Sequence, residues 1–241
     1  MNNKVLSAGG VVNHHLEQMA QSIFKSWFVD FALWGGVQPE NWTIGNAGDF
    51  FDISIGKTPP RKEPQWFTTN PHDVIWVSIA DMGNCGMFIS DSSEYLTAES
   101  VSRFNVKVVP NETVLLSFKL TVGRVAITHG EMTTNEAIAH FKKADWKTLE
   151  YLYCYLKAFD YQSLGNTSSI ATAVNSKTIK AMPFVMPDSK SLAEFHAATA
   201  PLFAQIRVNL AENTRLAALR DTLLPRLMSG ELSMADLGEA K

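Results

Sequence analysis

The sequence predicts an α+β protein in which one mixed, β-rich globular domain lies between a short N-terminal helix and a long C-terminal helix. Apolar residues recur at three- and four-residue spacing over residues 13–28 and again after residue 191, which is typical of helices. Between these segments, short runs rich in β-branched and aromatic residues alternate with glycine, proline and asparagine, which is typical of strands and turns. We therefore expect a globular domain carried between two helices.

The composition is that of an ordinary globular chain. Its 241 residues are 46% hydrophobic and carry a formal net charge of −3, so burial alone can stabilise a core. The longest apolar stretches are far shorter than the roughly 20 residues that span a bilayer, and the first residues lack the pattern of a signal peptide. We expect a cytoplasmic protein without a membrane span. Cys85 and Cys154 lack the spacing of a zinc site or a redox pair and are expected to be reduced.

The first predicted helix ends in a group of aromatic residues. Trp27, Phe28 and Phe31 come shortly before Gly35 and Gly36, and consecutive glycines interrupt a helix. We place a domain boundary here and assign residues 1–36 to an N-terminal unit.

Residues 37–188 form the predicted globular domain. One helix is expected inside it, at residues 146–159, because apolar side chains follow one helical face there. The clearest strand predictions rest on β-branched and aromatic content. They are residues 74–79, 106–109, 113–118 and 124–128.

A long helix is predicted to run from residue 191 to residue 228. Ser191 and Glu194 have the spacing of a capping box, in which the serine side chain caps the first helical amides. Pro201 is expected to kink or divide the helix, and Gly230 is a natural stop. Such a helix would measure about 57 Å at 1.5 Å per residue. This length exceeds what is needed to cover the core of a domain of this size.

The apolar stripe of the long helix indicates a partner helix. Its alternating spacing of three and four suits a coiled coil, and Asn213 lies near the stripe, where a polar group costs stability but fixes the pairing register. We assign residues 189–231 to this helical unit and residues 232–241 to a C-terminal tail. The stripe residues expected at a partner or dimer interface are Leu202, Ile206, Leu210, Asn213, Leu216 and Leu223.

Motifs for nucleotide binding and DNA chemistry are incomplete. Gly56, Lys57 and Thr58 resemble the end of a phosphate-binding loop, but the residue five positions before Gly56 is Phe51 instead of glycine. Residues 70–72 match only part of the Asn-Pro-Pro-aromatic element of adenine methyltransferases. Two Asp-x-Lys pairs lack the acidic partner that a metal-dependent nuclease needs. These gaps favour a binding protein, so no catalytic residue, metal ligand or cofactor is predicted.

Polar turns marked by glycine have side chains that suit DNA. Lysine and arginine contact phosphates and guanine, asparagine contacts adenine, and hydroxyl groups contact the backbone. Because the net charge is negative, DNA binding would depend on such local patches, although each turn taken singly is also explained as solvated surface. The residues predicted to contact DNA are Lys57, Thr58, Arg61, Lys62, Lys119, Thr121, Arg124, Asn135, Asn166, Thr167, Ser168 and Ser169.

Segments along most of the chain resemble the specificity subunits of type I restriction-modification systems. Residues 16–31 look like the end of that family's helical spacer, and residues 39–42 like the start of its target-recognition domain. Residues 56–59 are similar to its Gly-Lys-Thr-Pro turn, residues 113–123 to a later element, and residues 213–230 to the close of its second spacer helix. The family's usual chain has two recognition domains, whereas this sequence has one.

One departure from the family pattern concerns the N-terminus. Gly9 and Gly10 stand where the spacer of the family would be uninterrupted helix. Residues 1–12 are therefore expected to be frayed.

The resemblance implies a half-size DNA-recognition subunit without catalytic activity. Its domain would enter the major groove of double-stranded DNA at one half-site, and one domain per chain predicts a homodimer that recognises an interrupted palindrome. The spacer and the aromatic residues Trp27, Phe28 and Phe31 would dock methyltransferase subunits. The methyl donor, ATP and magnesium would then be bound by partner subunits, with cleavage and translocation carried out by a restriction subunit.

Two other function classes stay open. One is a stand-alone DNA methyltransferase or nuclease, which methyl-donor binding or metal-dependent cutting by the pure chain would reveal. The other is a helical scaffold with an incidental globular domain, which a failure to bind duplex DNA at any salt concentration would favour.

Overall fold

In the computed structural model, which describes residues 8–142, 145–164 and 175–229, a five-stranded sheet packs against three helices. The helices are α1 (Ala8–Phe28), α2 (Ala47–Phe50), α3 (Ile79–Asn84), α4 (Ala98–Arg103), α5 (Leu149–Ala158), α6 (Ser176–Lys180) and α7 (Ser189–Met228). The strands are β1 (Thr43–Asn46), β2 (Asp52–Ile55), β3 (Phe67–Thr68), β4 (Val74–Val77), β5 (Phe88–Ile89), β6 (Tyr95–Leu96), β7 (Val114–Ser117), β8 (Val125–Thr128), β9 (Thr133–Thr134), β10 (Ile138–Lys142) and β11 (Pro183–Met186). Short 3-10 turns lie at Ala32–Trp34, Pro64–Trp66, Trp146–Thr148 and Tyr161–Leu164.

The strands form three sheets. The central sheet has the order β2-β10-β7-β8-β5, in which only the β5–β8 pair is parallel. A second sheet has the order β3-β6-β4-β9, with β4 and β9 parallel, and β1 pairs with β11 in an antiparallel ribbon. The prediction of a mixed, β-rich domain between a shorter and a longer helix is confirmed.

The central sheet is buried on both faces. Successive side chains of a strand point to opposite faces, so Val114 and Leu116 of β7 pack towards α1, α5 and α7. Leu115, between them, packs with Val77 and Ile138 on the other face. This double burial explains why the inner strands β7 and β8 are almost continuous apolar runs without polar alternation.

An aromatic cluster joins the helices to the globular domain. The Phe28 ring centroid lies 4.8 Å from that of Tyr151 and 5.1 Å from that of Phe195, and Phe24 lies 5.5 Å from Tyr151. Trp42 extends the cluster, 5.4 Å from Phe28. The predicted aromatic group at the end of α1 is therefore part of the core that connects α1, α5 and α7.

Helices α1 and α7 run antiparallel. Phe28 at the end of α1 contacts Phe195 near the start of α7, whereas Asn13 near the start of α1 accepts a hydrogen bond from the Asn209 side chain, 2.8 Å away. This pairing gives α1 a longer extent than expected. The predicted fraying is wrong for residues 8–12, because the helix begins at Ala8 and lies along α7.

The start of α7 differs from the prediction. The N-cap is Asp188, whose carboxylate accepts from the backbone amides of Lys190 and Ser191 at 3.0 and 3.1 Å. Ser191 lies inside the helix and donates to Asp188 at 2.7 Å. The Ser191–Glu194 capping box is therefore wrong, since aspartate is an equally good N-cap and precedes the serine.

Helix α7 is continuous over 40 residues, or about 60 Å at 1.5 Å per residue. Pro201 lies inside the helix and does not divide it. The buried residues Phe195, Phe203 and Ile206 hold the helix against the core on both sides of the proline, and such packing outweighs the loss of one backbone hydrogen bond. Gly230 lies outside the described residues.

The predicted strand at residues 106–109 is wrong. These residues are irregular, with a single bridge between Val109 and Met132, while Val106 packs in a small cluster with Trp76 and Leu96. The apolar run is therefore buried as a loop. Among the described residues, none of the helices has the length and apolar character needed to cross a membrane.

Buried His140 connects strands β2, β9 and β10. Its Nδ1 lies 3.1 Å from Ser54 Oγ and its Nε2 lies 2.6 Å from Thr134 Oγ1. Because the Thr134 hydroxyl donates to the carbonyl of Asn135 at 3.1 Å, the imidazole Nε2–H is the donor to Thr134 and Nδ1 accepts from Ser54. Burial, with repulsion from Lys107 and Lys142, lowers the pKa of His140 to about 3, so the ring is neutral.

Replacing Phe195 with alanine should lower the free energy of unfolding by about 3–5 kcal/mol, because it opens a cavity where three helices meet. Urea denaturation followed by circular dichroism measures this. Val208, which is 62% exposed on the same helix, is the control, and Val208→Ala should change stability by less than about 0.5 kcal/mol. A loss below 1 kcal/mol for Phe195→Ala would contradict the central role of the cluster.

The stability of the fold should fall in acid because of His140. Its pKa lies below the ordinary value of 6.5, so between these values the unfolded chain binds a proton that the folded chain does not. The free energy of unfolding therefore decreases as the pH falls below 6.5, by up to about 1.4 kcal/mol per pH unit.

The variant His140→Gln should lose this component of the pH dependence. Denaturant unfolding at several pH values compares it with wild type and with His72→Gln, in which an exposed histidine is removed. Identical slopes for wild type and His140→Gln would contradict the assignment.

Candidate nucleic-acid interface

The described turns predicted to contact DNA lie at one end of the central sheet. Ile138 at the start of β10 pairs with Ser117 at the end of β7, and the next residue, Ala139, pairs with Ile55 at the end of β2. The turns that follow β2 and β7 and the turn that precedes β10 consequently emerge side by side. We call this surface the loop end. It comprises residues 56–63, 118–124 and 135–137.

The turns of Gly56 and Asn135 are packed directly together. The backbone amide of Lys57 donates to the carbonyl of Thr134 at 2.9 Å. A Cβ atom on Gly56 would collide with the Thr134 hydroxyl and the Asn135 carbonyl, so this position requires glycine for space. The glycine of the Gly-Lys-Thr-Pro turn is thus explained by the close approach of two backbone segments. Asn135 is half-buried, and its side-chain oxygen accepts from the amide of Ala137 at 3.1 Å.

Arg61 is held by an aromatic and acidic environment. Its guanidinium donates two hydrogen bonds to the Glu94 carboxylate, at 2.9 and 2.8 Å. It also lies over the rings of Phe67 and Trp76, 4.0 and 4.6 Å from their centroids. Its charge is therefore oriented and already paired within the protein.

The other predicted residues of this turn are on the surface. Lys57 is exposed and its ammonium donates to the carbonyl of Phe104 at 2.6 Å, while Lys62 is exposed next to Arg61. The hydroxyl of Thr58 donates to the carboxylate of Glu136. Glu136 was missed by the sequence analysis, although its position directly after Asn135 could have indicated it. A carboxylate here could accept a hydrogen bond from the amino group of cytosine.

The turn between β7 and β8 carries Lys119 and Thr121, and both are exposed. Its backbone is fixed by the Ser117 hydroxyl, which donates to the Thr121 carbonyl at 2.5 Å, and by the amide of Gly123, which donates to the Ser117 carbonyl at 3.0 Å. Leu120, between the two polar residues, is 83% exposed and was also missed. An apolar residue inside a polar turn was the available indication.

Arg124 is the least accessible of the predicted cations. It is half-buried, and its guanidinium donates to the carbonyl of Ile79 at 2.6 Å beside Gly83. Arg124 therefore connects the second turn to the start of α3. Its DNA contact stays a prediction.

Asn166, Thr167, Ser168 and Ser169 lie outside the described residues. The described residue that precedes this gap is Leu164, and the ring of nearby Tyr161 lies against Gly123 of the second turn.

Among the described residues, no group of three or more histidine, cysteine or acidic side chains could hold a metal ion. Burial raises the pKa of Cys85 to about 11 and that of Cys154 well above its ordinary value, so both thiols stay protonated.

The residues predicted for partner contacts fall into two groups. Phe28 and Ile206 are buried in this chain's own core, and Trp27 and Phe31 are half-buried beside it. Leu202 and Leu210 are also half-buried and pack against this core. Farther along α7 the stripe becomes accessible, since Asn213 and Leu223 are half-buried and Leu216 is 47% exposed.

Comparison with known proteins gives consistent results. Residues 39–191 match the family described as type I restriction modification DNA specificity domain. The chain is 24% identical to the type I restriction enzyme HindI specificity subunit of Haemophilus influenzae, over 92% of this chain and 62% of that protein. It is 25% identical to the MjaIX specificity subunit of Methanocaldococcus jannaschii, over 93% of this chain and 55% of that protein. The chain thus spans little more than half the length of these relatives.

Solved structures share the fold. The HsdS subunit from Thermoanaerobacter tengcongensis aligns with a TM-score of 0.52 and 16% identity, over 93% of this chain and 53% of that one. The type I restriction-modification S subunit from M. genitalium aligns with a TM-score of 0.54 and 13% identity, over 90% of this chain and 53% of that one. Because the matched segment 39–191 covers more than half of the sequence, the chain belongs to the type I restriction-modification DNA specificity domain family.

Proposed function

We propose that this chain binds double-stranded DNA in a sequence-specific manner as a specificity subunit of a type I restriction-modification enzyme and catalyses no reaction itself. The observation that carries the proposal is the loop end, where three separate turns with lysines, hydroxyl groups, an amide and a carboxylate lie side by side in a member of this family. Lys57, Lys62 and Lys119 would contact phosphates. Asn135 and Glu136 would contact base edges.

The second part of the proposal is a homodimer formed through α7. The described part of α1 begins near the level of Thr214 of α7, as the contact between Asn13 and Asn209 indicates, and α7 continues to Met228. Four apolar side chains on this continuation are 46–81% exposed: Leu216, Leu219, Leu224 and Met228. A second copy of the chain would cover them.

A dimer would set the spacing of the target. The length of α7, about 60 Å, compares with about 34–36 Å for one turn of DNA. Two recognition domains on paired helices would therefore bind half-sites about one to one and a half turns apart, as in an interrupted palindrome.

Methylation and cleavage are assigned to other subunits in this proposal. Methyltransferase subunits would dock on α7 and on the surface around Trp27 and Phe31, and they would bind the methyl donor. A restriction subunit would join through the assembled enzyme and would bind ATP and magnesium.

The wild-type chain should enrich one duplex motif from a randomised library, and Lys119→Ala should weaken binding to all sequences alike. Loss of one phosphate contact should reduce the slope of log affinity against log salt by about 0.9. Fluorescence anisotropy at several salt concentrations measures this slope.

The matched control for DNA binding is Lys190→Ala. The Lys190 side chain is 83% exposed at the start of α7, away from the loop end, so this variant should keep the wild-type slope. Failure of the wild type to bind any duplex, or equal effects of the two lysine variants, would contradict the proposed surface.

The chain should form a dimer in solution, as measured by light scattering, and Leu216→Asp with Leu223→Asp should convert it to a monomer, because two carboxylates would be buried in an apolar seam. Ala218→Asp, on the opposite face of α7, should leave the dimer intact. A monomeric wild type would contradict the homodimer.

A further inference from the structure

Leu120 at the tip of the β7–β8 turn is placed in solvent. At 83% exposure, it is more accessible than any other large apolar side chain of the part of the chain that the structure describes. Its neighbours Lys119 and Thr121 are exposed as well. Since polar residues would be solvated better here, folding alone gives no reason for leucine at this tip.

The backbone of Leu120 is also unfavourable for leucine. Its φ is 61°, in the left-handed region that glycine and asparagine adopt more readily. Leucine has no polar atom with which to compensate by a local hydrogen bond. Strain of this kind in a non-glycine residue is more often found at functional sites than elsewhere.

The turn holds this conformation rigidly. The Ser117 hydroxyl donates to the Thr121 carbonyl at 2.5 Å, and the Thr121 amide donates to the Lys119 carbonyl at 2.7 Å. Gly123, with a φ of 91°, lies against the ring of Tyr161. The backbone at Leu120 is consequently held so that the side chain leaves the turn outwards, which reduces the backbone entropy lost on binding.

The position of the turn indicates what Leu120 meets. The amide of Phe118 donates to the carbonyl of Ala137 at 2.9 Å, so the tip lies beside the turn of Asn135 and Glu136 at the loop end. Charged and amide groups there suit phosphates and the hydrogen-bonding edges of bases. The 5-methyl group of thymine is the apolar feature of the major groove, and an apolar side chain recognises it.

We propose that Leu120 is a specificity-determining residue that contacts the 5-methyl group of a thymine in the target duplex. This inference rests on the proposed function and adds a residue that the polar turns alone do not supply. A single leucine flanked by two polar residues suits contact with one methyl group better than insertion between base pairs, which uses an apolar wedge in the minor groove.

The test uses the duplex motif that the full-length wild type enriches from a randomised library. Each thymine of that duplex is replaced in turn by deoxyuridine, which lacks only the methyl group. In the homodimer each half-site contributes one such contact, so replacing one contacted thymine should weaken wild-type binding about 4-fold, and replacing its symmetry mate as well about 16-fold, as expected for loss of one and two buried carbon groups. In Leu120→Ala these replacements should have no further effect, and binding to the unmodified duplex should already be weaker by about the larger factor.

Two variants separate the contact from folding. Leu120→Asn keeps a side chain of similar size and suits a φ of 61°, so its melting temperature should equal or exceed that of wild type while it shows the same loss of affinity and of uracil sensitivity. Ile44→Ala removes a side chain that is 70% exposed in the β1–β11 ribbon and should bind as wild type does.

The outcomes distinguish this inference from the proposed function. If wild type enriches a motif but Leu120→Ala binds it equally well, the role of Leu120 is refuted and the proposed function stands. If Leu120→Ala binds weakly while no deoxyuridine replacement affects wild type, contact with a methyl group is refuted. If wild type enriches no motif, the proposed function itself fails.

Discussion

The packing of Phe28, Tyr151 and Phe195 is the interaction on which the rest of the structure depends. These rings come from α1, α5 and α7 and lie within about 6.4 Å of one another. They fix the two terminal helices against the same face of the central sheet. Isolated helices gain little from propensity alone, so this contact, together with the buried Phe203 and Ile206, gives the 40-residue α7 its fixed direction. The direction in which α7 leaves the domain is therefore set by aromatic packing.

At the other end of the sheet, polar contacts replace aromatic ones. Neutral His140 forms hydrogen bonds with Ser54 and Thr134, which lie on strands of two different sheets, and the Thr134 hydroxyl donates to the carbonyl of Asn135. Gly56 fits against this arrangement because it has no side chain. A buried network of this kind, with every group bonded, specifies one geometry. The turns that begin at Gly56 and Asn135 are thus anchored to a buried hydrogen-bond network.

Elements with a distinct local pattern of apolar residues could be predicted from the sequence. Features that depend on contacts between residues distant in sequence could not. The fold class and the α5 and α7 helices follow from apolar spacing, and the β7 and β8 strands from their β-branched and aromatic content, whereas strands of two residues such as β5 and β9 are too short to show either signal. Asp188 and Ser191 are both good N-caps, and only the structure distinguishes them. At the candidate site, Gly56 was predicted as part of a motif. The reason that glycine is required there is the close approach of Thr134, which is far away in sequence. Leu120 was not predicted because only polar side chains were expected to contact DNA.

The pairing of Arg61 with Glu94 has a consequence for the thermodynamics of association. The salt dependence of DNA binding measures the ions released from the nucleic acid when cations of the protein replace them. Arg61 already has an internal counterion, held by two hydrogen bonds, so its approach to a phosphate would force two negative groups together unless Glu94 moves away. The Glu94 carboxylate would then be displaced from Arg61 when DNA binds. Part of the electrostatic free energy of binding would therefore go into a rearrangement of the protein.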